Sequence, residues 1–111
     1  MAFNKAPTEL FAGYSSDGTT ITIPLADLPG LTSAEANATT GDWRSIILSL
    51  VSTVYDYYAG LADADKPEAF RASPPTQYPV TTGDLAGTFK ATYSFDFYNI
   101  YCTPNVADEP T

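Results

Sequence analysis

The sequence predicts an α+β fold in which a small, mostly antiparallel sheet is packed by one long amphipathic helix. Three observations lead there. Between residues 42 and 61, Trp43, Ile46, Ile47, Leu50, Val54, Tyr57, Tyr58 and Leu61 fall at steps of three and four and make one apolar stripe. Between residues 89 and 101, the odd positions Phe89, Ala91, Tyr93, Phe95, Phe97 and Tyr101 are apolar, against Lys90, Thr92, Ser94 and Asp96 at the even ones. Successive strand side chains point to opposite faces, so this strand has one apolar face. At Tyr98 and Ile100 the even positions turn apolar too, and the strand's far end is apolar on both faces. Third, Thr19 to Leu25 alternates, with Ile21, Ile23 and Leu25 on one side and Thr20 and Thr22 on the other. The 111 residues amount to a single domain, 1–111, with arms at about 1–8 and 103–111.

The elements follow in order. Glu9 to Ser15 is expected as a short strand offering Leu10, Phe11 and Tyr14 for burial. Ser16-Asp17-Gly18 is a turn signal, because Asp-Gly supplies the positive φ that tight hairpins need. Pro24 lacks a backbone donor and marks the edge or end of the strand at 19–25. Asp27-Leu28-Pro29-Gly30 is a turn. Thr32 with Glu35 three residues on fits a capping box for a short helical turn. The helix from about Asp42 to Leu61 takes Thr40 as its N-cap, with Asp42 in the first turn. Val, Ser and Thr are mediocre helix formers, so packing must hold it. The stripe is expected to be core. Residues 63–83 contain Pro67, Pro74, Pro75 and Pro79 and are expected as a long extended connection, pinned by Phe70 and Tyr78. The strand at 88–101 completes the sheet begun at 9–15 and 19–25.

Composition excludes several function classes. The net charge is −8, and the basic residues Lys5, Arg44, Lys66, Arg71 and Lys90 do not cluster. Nucleic acids and anionic membranes are bound chiefly through clustered Lys and Arg, so neither is an expected partner. No apolar run is long enough to span a bilayer. There is no histidine and one cysteine, Cys102. That removes Ser-His-Asp and Cys-His nucleophile systems, most general bases near neutral pH and most zinc sites. No phosphate-cradling glycine motif is present, and no cofactor is expected. Cys102 reads as a small buried hydrophobe, and Met1–Pro7 lack the apolar core of a signal peptide, so folding in a reducing cytosol is expected.

Two acidic features were weighed for chemistry. Asp63, Asp65 and Glu68 lie close together, but Pro67 occupies a ligand position of a calcium loop and no glycine supplies its sharp turn, so they read as a solvated helix end. Asp56 with Asp96, or Glu35 with Asp42, would be carboxylate pairs for glycoside hydrolysis, yet nothing in their spacing singles them out. The chain is therefore expected not to be an enzyme.

The tyrosines carry the remaining signal, since Tyr joins a large apolar body to a polar tip and suits interfaces. Tyr55, Tyr98 and Ile100 fall off the main stripes and, with Tyr101, are the interface candidates. Stacked tyrosines would equally hold a sugar ring. Two stretches add a resemblance: Thr20-Ile21-Thr22-Ile23-Pro24 through Asp27-Leu28-Pro29-Gly30-Leu31-Thr32 to Glu35-Ala36, and Thr39-Thr40-Gly41-Asp42 followed by Arg44. They resemble small proteins of cyanobacteria and their tailed phages that look like virion parts, among them capsid cement (decoration) proteins. The resemblance covers about a third of the chain and contains no catalytic motif. It implies a structural protein of the bacteriophage (cyanophage) virion, a homo-oligomer and most simply a homotrimer, bound to the major capsid protein at the capsid surface. The alternative from another class is a carbohydrate-binding, host-recognition module of a tail or baseplate.

Overall fold

The computed structural model describes residues 5–98. The fold is α+β, with one long helix and two separate two-stranded antiparallel sheets. In chain order it comprises α1 (Pro7–Leu10), β1 (Ser15–Ser16), β2 (Ile21–Thr22), α2 (Trp43–Gly60), β3 (Phe70–Pro79) and β4 (Phe89–Phe97). Short 3-10 turns lie at Leu25–Asp27 and Asp63–Asp65.

The first part of the chain departs from expectation. Residues 9–15 do not form a strand. Pro7 opens a single helical turn, and the Glu9 carboxylate reaches back to accept from the Ala6 N–H at 2.8 Å. Pairing at β1–β2 is confined to Ser15 with Thr22 and Ser16 with Ile21. The turn between them is the one the sequence signals. Gly18 takes φ 90°, and the Asp17 carboxylate accepts from the Thr19 and Thr20 N–H groups at 2.9 and 2.7 Å. The alternation at 19–25 ends early because Pro24 caps a 3-10 turn at Leu25–Asp27 in place of extending the strand. Ile21 and Leu25 consequently remain exposed.

The capping box at Thr32 is present. The Glu35 carboxylate accepts from the Thr32 N–H, and Thr32 Oγ1 accepts from the Glu35 N–H. Asn37 organises the next turn, its Oδ1 accepting from the Thr39 and Thr40 N–H groups. The helix cap is Asp42, not Thr40. The Asp42 carboxylate accepts from the Arg44 N–H at 3.0 Å and from the Ser45 hydroxyl at 3.1 Å. A carboxylate at the positive end of the helix dipole is the stronger acceptor, and the Thr40 backbone is already held by Asn37.

The largest correction concerns residues 63–83. The proline-rich stretch is in large part strand β3, paired with β4 from Phe70↔Phe97 to Pro79↔Phe89. The register shifts between Ser73 and Thr76, where Pro74 and Pro75 together face Tyr93. Such a two-for-one bulge admits residues that have no N–H to give to the ladder. The hairpin closes through Val80–Thr88, whose carbonyl and amide groups pair at 2.8 and 2.9 Å through Val80 and Gly87.

The helix stripe divides rather than lying across a sheet. At the C-terminal half, Tyr58 is buried against Phe70, with ring centroids 5.6 Å apart and edge-on. At the N-terminal half, Ile46 and Leu50 line an apolar groove with Ile21, Leu28 and Leu31. Ser49, which lies off the apolar stripe, is buried, and its hydroxyl donates to the Pro29 carbonyl at 3.3 Å. A small side chain there lets the Leu28–Pro29 turn approach the helix. Trp43 and Ile47, expected in the core, face solvent; the aromatic contact of helix and hairpin lies toward the other end of α2, at Tyr58.

Gly41 sits at the tightest point of the approach to α2. A Cβ there would overlap the carbonyl oxygens of Glu35 and Asn37. Gly41→Ala is expected to cost about 1–3 kcal/mol by overpacking. Gly60→Ala, where a Cβ meets nothing, is expected to gain about 0.4–1 kcal/mol by restricting the unfolded chain. Thermal unfolding of the two variants side by side checks both signs.

Candidate interaction surface

The buried apolar set among the described residues is small: Phe11, Leu28, Tyr58 and Ala69, with no large side chain completely closed off from solvent. The chain exposes 8024 Å2, where a compact monomer of 11.9 kDa exposes about 5,900 Å2. Its radius of gyration is 16.3 Å, against about 13 Å for a compact domain of this length. Several large apolar side chains, Trp43, Ile47, Leu85, Phe89 and Phe97 among them, are on the outside.

That surface has three parts. The first is on the N-terminal half of α2, where Trp43 is 77% exposed and Ile47 and Leu48 stand beside it. Tyr55 is half-buried and lies seven residues on from Leu48, on the same side of the helix. The second is the odd-numbered face of β4. Phe95 stacks on Phe70 and lies parallel to Tyr93, with ring centroids 5.7 and 6.5 Å apart. Beyond them Phe97 and Phe89 are 63% and 71% exposed at the two ends of the strand. The third is an apolar cleft of about 500 Å3 between α1, the C-terminal half of α2 and the base of the hairpin, with Phe11, Tyr14, Tyr57 and Phe97 on its walls.

Of the sequence candidates, Tyr55 and Tyr98 are described, and Ile100 and Tyr101 lie outside the described residues, as do Cys102 and the arm at 103–111. Tyr98 is exposed, its N–H donates to the Ala69 carbonyl at 3.0 Å, and the Arg71 guanidinium lies 5.7 Å from its ring centre. It therefore stands on the polar face of the hairpin, opposite the face of the Phe70–Phe95 cluster. Phe70 pins the proline-rich stretch as expected, whereas Tyr78 is exposed. Trp43, expected in the core with its stripe, is exposed, because periodicity assigns a face and cannot say how much of that face a neighbour covers.

The ionisable groups offer structure more than chemistry. The Asp63 carboxylate pairs with Lys66 at 3.2 Å, and Lys66 lies 5.0 Å from the Tyr58 ring centre. Among the described residues no three acidic or cysteine side chains converge as a metal site. Hydrogen bonds from the Thr20 and Thr19 amides hold the Asp17 carboxyl below its ordinary range, and the Thr32 amide and hydroxyl do the same for Glu35.

Compared with protein-family models, with curated proteins and with solved structures, the chain matches none.

Two expectations follow. Carboxylates with lowered folded values contribute stability that is complete above their unfolded pKa and is lost as pH falls through the folded one. Asp17 and Glu35 should thus loosen their turns below the ordinary carboxylate range, and Asp17→Asn with Glu35→Gln should flatten that part of the acid profile of Tm. Trp43 is the single tryptophan. Its emission in dilute protein should resemble solvated indole and be quenched freely by acrylamide; a blue-shifted, protected emission in the dilute monomer would contradict its placement.

Proposed function

We propose that the chain is a non-catalytic structural protein of a tailed-phage virion, acting as a capsid cement protein. The observation that carries the reading is the exposure of large apolar side chains, Trp43, Ile47, Phe89 and Phe97 among them, beside a small buried apolar set among the described residues. Such a surface suits a protein whose core is completed by neighbours. Burial of apolar area across subunit junctions stabilises a shell at roughly 25 cal/mol per Å2 before association costs. Repetition over many symmetric contacts then adds avidity. The sequence resemblance supplies the virion setting, with self-association and the major capsid protein as partners. The acidic, histidine-free composition fits a mechanical rather than a catalytic role.

The carbohydrate-binding alternative has less to support it. Sugar sites combine stacked aromatic rings with flanking amides and carboxylates. Among the described residues, no Asp, Asn, Glu or Gln lines the cleft that gathers Tyr14, Tyr57 and Tyr58.

Quantitative mass spectrometry of purified virus particles from the source tests the proposal. Hundreds of copies per particle, comparable with the major capsid subunit, are the expected outcome. A dozen or fewer would move the protein to the neck, tail or baseplate, and absence from particles would end the virion reading.

A further inference from the structure

We infer that β4 is a self-pairing edge: two copies of the chain join antiparallel along β4, centred on Tyr93, into one continuous four-stranded sheet. The inference stands apart from the virion reading, since it rests on the hairpin alone.

The two edges of the hairpin are unlike. The Tyr98 N–H donates to Ala69 and the Val80 N–H donates to Thr88. Even-numbered residues of β4 therefore turn their backbone groups toward β3, and alternation turns those of Phe89, Ala91, Tyr93, Phe95 and Phe97 to the outer edge. Among the described residues no strand pairs with that edge, and it contains no proline. The outer edge of β3 is interrupted by the Pro74-Pro75 bulge and by Pro79, devices that stop strand addition. The hairpin is thus closed on one side and open on the other.

The occupant is selected by charge. Lys90 and Asp96 are the two charged residues of β4, and they stand three places either side of Tyr93. Neither takes part in an ion pair with a described residue. Arg71 is opposite Asp96 in the register, but its guanidinium donates to the Pro67 and Phe70 carbonyls instead. With a two-fold axis at Tyr93, Lys90 of each copy lies directly across from Asp96 of the other, in non-hydrogen-bonded pairs where side chains are closest. The same register overlaps the whole strand and matches every outward N–H with a carbonyl. It also sets Phe89 beside Phe97 of the second copy, so the two most exposed rings of the strand cover one another. Shifting the axis by one position separates the charges and leaves strand ends unpaired. The contact is isologous and closes at two subunits, where the resemblance implies three.

Single charge reversals and their mixture test this in the full chain, by sedimentation equilibrium with circular dichroism as the check on folding. Wild type is expected at twice its 11.9 kDa mass. Lys90→Asp and Asp96→Lys each place like charges across both symmetric positions and should weaken the dimer about tenfold or more. Mixed one to one, the two folded variants should recover a heterodimer, because one chain then presents two acidic and the other two basic residues. A wild-type monomer at millimolar concentration, a trimer, or a dimer that ignores both reversals and the mixing would overturn the proposal. Particle copy number does not bear on these outcomes, so the two readings fail separately.

Discussion

The aromatic contact between the end of α2 and the base of the β3–β4 hairpin is the interaction on which the rest of the structure depends. Tyr58 meets the edge of Phe70, and Phe70 in turn packs on Phe95 and Phe97. Lys66 lies 5.0 Å from the Tyr58 ring centre and pairs with Asp63, which brings the connection after the helix to the same ring. Aromatic pairs of this geometry contribute about 0.5–1.5 kcal/mol beyond the area they bury. This is the aromatic contact that joins helix and hairpin among the described residues.

An attachment at one end has a consequence for the whole molecule. A ten-residue strand reaches well past the contact, so most of the odd face of β4 extends beyond the helix that would ordinarily cover it. One side of the N-terminal half of α2 is left uncovered too, and Trp43 and Ile47 are exposed there, away from the Ser49–Pro29 contact.

The sequence made the helix, the β4 alternation, the Asp17-Gly18 turn and the Thr32–Glu35 box legible, because each is written in local spacing. It did not reveal β3. Prolines argue against a strand where every N–H is needed, but both strands of an isolated hairpin are edges, and a bulge at Pro74-Pro75 removes the remaining conflict. Falling off a stripe marks Tyr55 and Tyr98 as interface candidates; Tyr98 is exposed and Tyr55 half-buried. Trp43 lies on the helix stripe that is expected as core, yet it is exposed, since exposure on a stripe depends on how far a partner element extends.

Net charge bears on how such a surface is used. At −8 per chain, copies repel one another at long range, and the repulsion falls off over about 8 Å at physiological ionic strength. Non-specific clustering through the exposed aromatics is opposed by that field, whereas a contact that sets a basic residue against an acidic one is not opposed to the same degree. Lys90 is the sole basic residue of β4 and sits on its polar face, across the strand from the apolar one. In an otherwise acidic molecule its position gives the apolar edge a preferred register. The edge is open to addition, but the charge pattern admits a matching strand more readily than an arbitrary one, which is how an exposed aromatic strand avoids indiscriminate aggregation.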